Sequence, residues 1–138
     1  DFVFSHDKNQ IESKSVSKSS DIKIKAKGYD VIGIDEAQFF DNGIVKICND
    51  LANEGIRVIV AGLDMDYKGN PFGPMPNLMA IAEYVTKLHA ICAKSGNLAN
   101  HSYRISNDKS LVHLGQKESY IPLSRVEFQK LIQKNKHT

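Results

Sequence analysis

At 138 residues, with 41% apolar and 25% charged side chains, the chain has the composition of one compact globular domain with its own core. That balance argues against disordered, collagen-like and membrane classes. The formal net charge is only +2, and the lysines are scattered apart from modest clusters at 23–27 and 130–136, so no phosphate-tracking surface for nucleic acid is expected. No apolar run approaches the ~20 residues that span a bilayer, and no basic-then-apolar opening reads as a signal peptide; a cytoplasmic location is the expectation.

The text opens at Asp1, inside an apolar stretch, Phe2-Val3-Phe4, which suggests a trimmed fragment. Residues 1–27 are rich in Ser and Lys, and the apolar triplets Phe2–Phe4 and Ile22–Ile24 predict short strands with polar connections. Ser5-His6-Asp7 has the residue types of a catalytic triad, but three consecutive residues do not converge as that chemistry requires, so it reads as surface structure.

Tyr29–Ile34 is a β-branched run ending in Asp35-Glu36, the pattern of a strand buried on both faces of a parallel sheet. Ile44, Val45, Ile47, Cys48, Leu51 and Ala52 recur at helical spacing, and Gly55 stands where a helix stops in the left-handed conformation. A second strand, 57–63, ends at Asp64, so strand, helix and strand form one right-handed crossover and the class is α/β. The Gly- and Pro-rich loop 68–76 precedes Asn77, which predicts the cap of a helix carrying Leu78, Ile81, Ala82, Val85 and Leu88.

A subdomain boundary is placed near Leu88, dividing the chain into 1–87 and 88–138. Beyond it, Tyr103–Ile105 and Leu111–Leu114 flank a polar stretch and predict an antiparallel hairpin. Ser124 and Glu127 have capping-box spacing ahead of Phe128, Leu131 and Ile132, predicting a helix over 124–136. Cys48 and Cys92 belong to no Cys-x-x-Cys pair, so neither a disulfide framework nor a complete zinc site is expected, and both read as buried small apolar residues.

Asp35-Glu36 is the most informative pair. An aspartate closing a buried strand is how P-loop phosphoryl-transfer enzymes hold Mg²⁺, directly or through water, while a neighbouring acid orients or deprotonates the attacking oxygen. Taken alone, the pair fits two solvated acids closing a strand equally well. Phe39, Phe40, Tyr67 and Phe72 would ordinarily be core. Phe39 follows the acids and Phe72 lies in the loop after the second strand, so both are expected at one sheet edge, flanking a flat base.

Four segments, VIGIDEAQFF at 31–40, RVIVAGLD at 57–64, PFGPMP at 71–76 and AEYVTKL at 82–88, stand in the order of the thymidine kinases of the human cytosolic and common bacterial type. The chain resembles that family from about Val3 to about Arg125. The resemblance implies a P-loop, RecA-like parallel sheet flanked by helices, plus a small lasso subdomain with a β-hairpin that closes over the nucleoside. It implies transfer of the ATP γ-phosphate to the 5′-hydroxyl of thymidine with Mg²⁺, in a homotetramer inhibited by dTTP. Glu36 would be the general base and Asp35 the Mg²⁺-positioning acid. Phe39, Leu63, Tyr67, Phe72 and Ser102 would line the nucleoside pocket. The backbone of Leu111, Val112, His113, Leu114 and Gly115 would read the pyrimidine, and Tyr120 would close over the sugar.

Two departures from the family pattern stand out. Its glycine-rich phosphate loop, ending Gly-Lys-Ser or Gly-Lys-Thr, is not in this text, so the chain as written is expected to be inactive. Its four zinc-binding cysteines correspond to Cys92, Ser95, Ser124 and Glu127, so zinc is expected to be absent, as in a bacterial branch of the family, with the capping box as the substitute fastener. Two other readings keep the acid pair: a P-loop ATPase driving a motion, and a catalytically silent nucleotide-binding relative.

Overall fold

The computed structural model describes residues 2–4, 10–105 and 120–136, with side chains over 13–105 and 120–134. Ser5-His6-Asp7 and the positions 111–115 lie outside the described residues. The chain divides into two compact units, one formed by 1–62 with 73–81, the other by 63–72 with 82–138. Among the described residues are four two-stranded sheets, one parallel and three antiparallel, with flanking helices: a small α/β fold. No helix among them is long and apolar enough to cross a membrane.

In the first unit, β1 (Phe2–Phe4) pairs antiparallel with β2 (Gln10–Glu12). The expected strand around Ile22–Ile24 is instead a helix, α1 (Ser19–Lys25). Its burial explains why: Ser19, Ile22 and Ala26 go inward at helical spacing while Ile24 is 77% exposed. Asp41 fastens the start of α1, its carboxylate accepting the Ser19 hydroxyl at 2.7 Å and the Ser19 N–H at 3.2 Å. The same carboxylate takes the Gly43 N–H at 2.8 Å, where α2 begins.

The crossover unit has its expected elements, β3 (Val31–Ile34), α2 (Gly43–Asn53) and β4 (Arg57–Val60), with the strands parallel from Val31↔Arg57 to Ile34↔Val60. α2 buries Ile44, Cys48 and Leu51 along one stripe. It ends at Gly55, whose φ of +87° suits glycine, with Gly55 N–H donating to the Ala52 carbonyl and Ile56 N–H to that of Leu51. This is the paired-bond helix stop that satisfies the last carbonyls. The apolar runs in β3 and β4 predicted two buried faces, and here the structure differs. Ile34 is buried, yet Val31 and Ile59 are half exposed, because within this unit the helices cover one face.

The helix expected over 77–88 is shorter and begins earlier: α3 spans Met75–Ile81. Pro76 is tolerated in a first helical turn, where its missing N–H would have no partner anyway. Beyond Ile81 every residue through Ile91 is exposed. Apolar residues at helical spacing do not hold a helix without a surface to bury on. The unit's core gathers Ile22, Ile34, Ile44, Leu51, Met75 and Leu78.

In the second unit, β5 (Ala90–Ile91) pairs with β6 (Leu98–Ala99), and β7 (His101–Arg104) pairs antiparallel with β8 (Tyr120–Leu123). Tyr103 and Arg104 pair with Ile121 and Tyr120; the strand expected at 111–114 lies outside the described residues. α4 (Arg125–Lys136) follows as expected, with the Glu127 N–H directed at the Ser124 hydroxyl at 3.5 Å and the Glu127 carboxylate held by Lys130 at 2.6 Å. Cys92, Ala99, Leu123 and Phe128 form the core of this unit, with Tyr103, Ile121, Leu131 and Ile132 against them.

Candidate active site

The parallel ladder continues one step past the strands: Ala61 N–H donates to the Ile34 carbonyl at 2.8 Å, and Ala37 N–H to the Ala61 carbonyl at 3.0 Å. Between these two anchors the chain makes room for only Asp35 and Glu36, which are thrown outward and exposed. Glu36 has φ +53° and ψ +38°, the left-handed region in which side chains other than glycine are strained by about 1–3 kcal/mol. A single 3₁₀ turn, Ala37–Phe39, follows. The Asp35 carboxylate steadies the bend by accepting the Glu36 N–H at 2.8 Å.

Glu36 is held from beneath by a residue that the sequence reading passed over. Gln38 is 3% exposed, and its side-chain amide donates to Glu36 Oε2 at 2.5 Å. The backbone of Gln38 is itself hemmed in. A Cβ on Gly73, whose φ is +49°, would run into the Gln38 carbonyl oxygen. The outcome is two exposed carboxylates on one rigid bend at the carboxyl end of β3, one of them aimed by a buried amide. Phe39, 49% exposed, sits on the same turn.

The second unit carries the other expected nucleoside positions that are described. The loop 64–72 is organised by Asp66, 8% exposed, whose Oδ1 accepts the Lys68 and Asn70 N–H groups, both at 2.9 Å. The Asp66 N–H donates to the Asn70 carbonyl at 2.8 Å. This small scaffold fixes Tyr67 between them. Phe72 at the loop's end is nearly buried, at 9% exposure, whereas Leu63 is 49% exposed.

Strand alternation sorts β7 and β8. His101 and Tyr103 both pack on Phe128, with centroids 4.4 Å and 6.2 Å away, so Ser102 and Arg104 fall on the opposite face. The register sets Tyr120 opposite Arg104, and Arg104 Nε donates to the Tyr120 hydroxyl at 3.0 Å. The Arg104 guanidinium also lies 3.9 Å over the Tyr67 ring. Three expected substrate positions, Tyr67, Ser102 and Tyr120, are therefore grouped around Arg104, which the sequence reading missed. Its signal was the spacing of two from Ser102 on a strand.

The sequence comparisons cover most of the chain. The family profile described as thymidine kinase matches residues 1–128. The chain belongs to the thymidine kinase family. It is 53% identical over 135 residues to the thymidine kinase of Bacteroides fragilis, covering 97% of this chain and 67% of that protein. It is 56% identical over 124 residues to that of Bacteroides thetaiotaomicron, covering 89% and 62%. With the thymidine kinase of Rhodothermus sp. it shares 54% over 127 residues, covering 92% and 60%. The chain thus spans about two thirds, or somewhat less, of the length of these thymidine kinases.

Thymidine kinase family membership raises the question of metals. Asp35, exposed and already anchored through one oxygen, retains carboxylate capacity for hydrated Mg²⁺, which favours oxygen ligands and keeps its waters. Zinc is different. Two of the four corresponding positions are neutral hydroxyls, Ser95 and Ser124, and Glu127 is paired with Lys130. These residues do not fit a structural zinc site. Among the described residues no group of three or more His, Cys, Asp or Glu is arranged to hold a metal.

The turn that carries Cys92 is closed by backbone hydrogen bonds, with Cys92 N–H donating to the Asn97 carbonyl and Gly96 N–H to that of Cys92. Cys92 is 2% exposed. Burial alone would raise its thiol pKa, but the Ser95 hydroxyl and the N–H groups of Ser124, Lys94 and Ser95 point at the sulfur and outweigh it, bringing the pKa from 9.0 to about 6. Ala93 N–H donates to the Pro122 carbonyl at 3.0 Å beside it. Sulfur contacts from both 94–95 and 124 tie the turn at 92–96 to the start of α4. An open cleft of ≈ 400 Å³ in this unit is lined by His89, Ser95, Asn97, Arg125 and Glu127 among others; Leu63, Tyr67, Phe72, Ser102 and Tyr120 are not among its lining residues.

Proposed function

We propose that the whole protein transfers the γ-phosphoryl group of ATP to the 5′-hydroxyl of thymidine. The observation that carries this reading is the Asp35-Glu36 bend: two adjacent exposed carboxylates at the carboxyl end of a parallel strand, one strained and hydrogen-bonded by a buried amide, in a chain of this family. In this reading the Glu36 carboxylate takes the 5′-hydroxyl proton as the sugar oxygen bonds to the γ-phosphorus and the bond to the bridging oxygen of ADP breaks. Gln38 keeps Glu36 aimed, and Asp35 positions hydrated Mg²⁺, which when bound neutralises phosphate charge. The family resemblance is the support for assigning Phe39, Leu63, Tyr67, Phe72, Ser102, Tyr120 and the backbone of 111–115 to nucleoside binding.

The same reading takes the two-stranded parallel ladder as part of a larger RecA-like sheet and residues 88–138 as the lasso subdomain. No phosphate loop occurs within these 138 residues, so none of them is assigned to the ATP phosphates. The family resemblance is the support for a homotetramer and for inhibition by dTTP. Incubating the full-length protein with γ-labelled ATP and thymidine tests the reaction. Label is expected in thymidine monophosphate, with deoxycytidine and deoxyguanosine poor acceptors. Label released only as inorganic phosphate, whether or not thymidine is added, would make the protein an ATPase instead.

A further inference from the structure

Among the described residues, Arg104 is the most deeply buried cation on the face that carries Ser102. It is 5% exposed, and a buried guanidinium is retained only where its donors and its charge are compensated. Two of its contacts are aromatic. The guanidinium stacks 3.9 Å above the Tyr67 ring, closer than Lys68, whose ammonium is 5.5 Å from the same ring. It lies 5.2 Å from the Tyr120 ring, and both Nε and one terminal nitrogen donate to the Tyr120 hydroxyl.

The geometry points to Arg104 as a positioning residue for nucleoside binding, which orients Tyr120 and Tyr67 together. This inference rests on the thymidine kinase reading above. A phenol oxygen has two lone pairs and one proton. With two Arg104 N–H groups directed at that oxygen, the Tyr120 hydroxyl can serve a ligand only as a donor. Its proton is thereby committed to an acceptor such as a sugar oxygen or a pyrimidine carbonyl. The planar fork does this while stacking on Tyr67, a combination that a lysine ammonium cannot reproduce, since it has no flat face and no paired donors at fixed spacing. Arg104 thus couples the loop 64–72 to β8 within one unit.

The test is a kinetic cycle in the full-length protein using Arg104→Gln, Arg104→Lys, Tyr120→Phe and the double variant Arg104→Gln/Tyr120→Phe. Arg104→Gln is expected to raise KM for thymidine about tenfold, as for a lost charged hydrogen bond, with kcat changed less than about threefold and KM for ATP unmoved. Arg104→Lys falls between wild type and Gln. Because Arg104 acts through the Tyr120 hydroxyl, the double variant is expected to be no worse than the weaker-binding single variant.

Multiplying single-variant effects in the double variant, or an unchanged thymidine KM in folded Arg104→Gln, would overturn the role. If Arg104→Gln does not fold, the Arg104→Lys and Tyr120→Phe cycle decides by the same criterion. Calorimetric titration of wild type with thymidine separates the two levels. Wild type that binds and phosphorylates thymidine while the cycle is additive removes only the role of Arg104, whereas wild type that binds no thymidine removes the kinase reading and this role with it.

Discussion

The bend at 35–40 and the Arg104 face of β7 and β8 solve one problem by different means. Both must hold a side chain that meets solvent or ligand in one orientation. At the bend, an exposed carboxylate is fixed by backbone strain and by a neutral amide buried below it. On the β7–β8 face, half-buried aromatic rings are fixed by a buried cation. A neutral amide leaves the charge of Glu36 available to a proton, while a guanidinium polarises the phenol it holds. In both regions the side chain proposed to meet substrate is visible in the sequence, and the residue that holds it is buried underneath.

The largest stability effect expected on the bend side is that of Gly73→Ala. The added Cβ would meet the Gln38 carbonyl, and φ there is +49°, so a loss of roughly 2–4 kcal/mol is expected in urea unfolding. Unchanged stability would mean that this turn relaxes freely and does not brace the bend. Gln38→Leu is expected to be milder: kcat down about tenfold, as for a lost hydrogen bond to a charged group, with thymidine KM within about twofold. A pure KM effect would transfer Gln38 from aiming the base to shaping the pocket.

The smallest effect lies in the second unit. Because the Cys92 pKa is lowered to about 6 in the folded chain, the thiolate favours folding. The unfolded state binds more protons at pH values between the two pKa values, so this contribution is complete above the ordinary thiol pKa of 9.0 and is lost as pH falls through about 6. Wild type minus Cys92→Ser is expected to show stability rising with pH across that window, and the thiolate absorbance is expected to titrate near 6. A titration near 9 would remove the hydrogen-bonded sulfur as the fastener of α4.

Much of the fold was legible where local pattern and tertiary burial agree. The β3–α2–β4 unit, the stop at Gly55 and the start of α4 at Ser124 are short-range signals, and tertiary packing reinforces each. The misses share the opposite property. Ile22 and Ile24 resemble strand alternation, yet only Ile22 has a surface to bury on, so the segment is helical. Val85 and Leu88 keep helical spacing but stay exposed, at 50% and 89%, and α3 stops before them. The β7–β8 pairing joins Arg104 to Tyr120, sixteen residues along the chain, a contact that no local pattern encodes. Asp35 and Glu36 stand out in the sequence because carboxylates after an apolar run are conspicuous. Gln38 and Arg104 were missed because a lone amide or cation in sequence gives no sign that it will be buried.

The most direct measurement is turnover of thymidine by full-length Glu36→Gln, an isosteric change that removes the base while leaving the bend in place. The account predicts a fall in kcat of about 10²-fold or more, with thymidine binding retained. Wild-type turnover in a folded Glu36→Gln protein would contradict it.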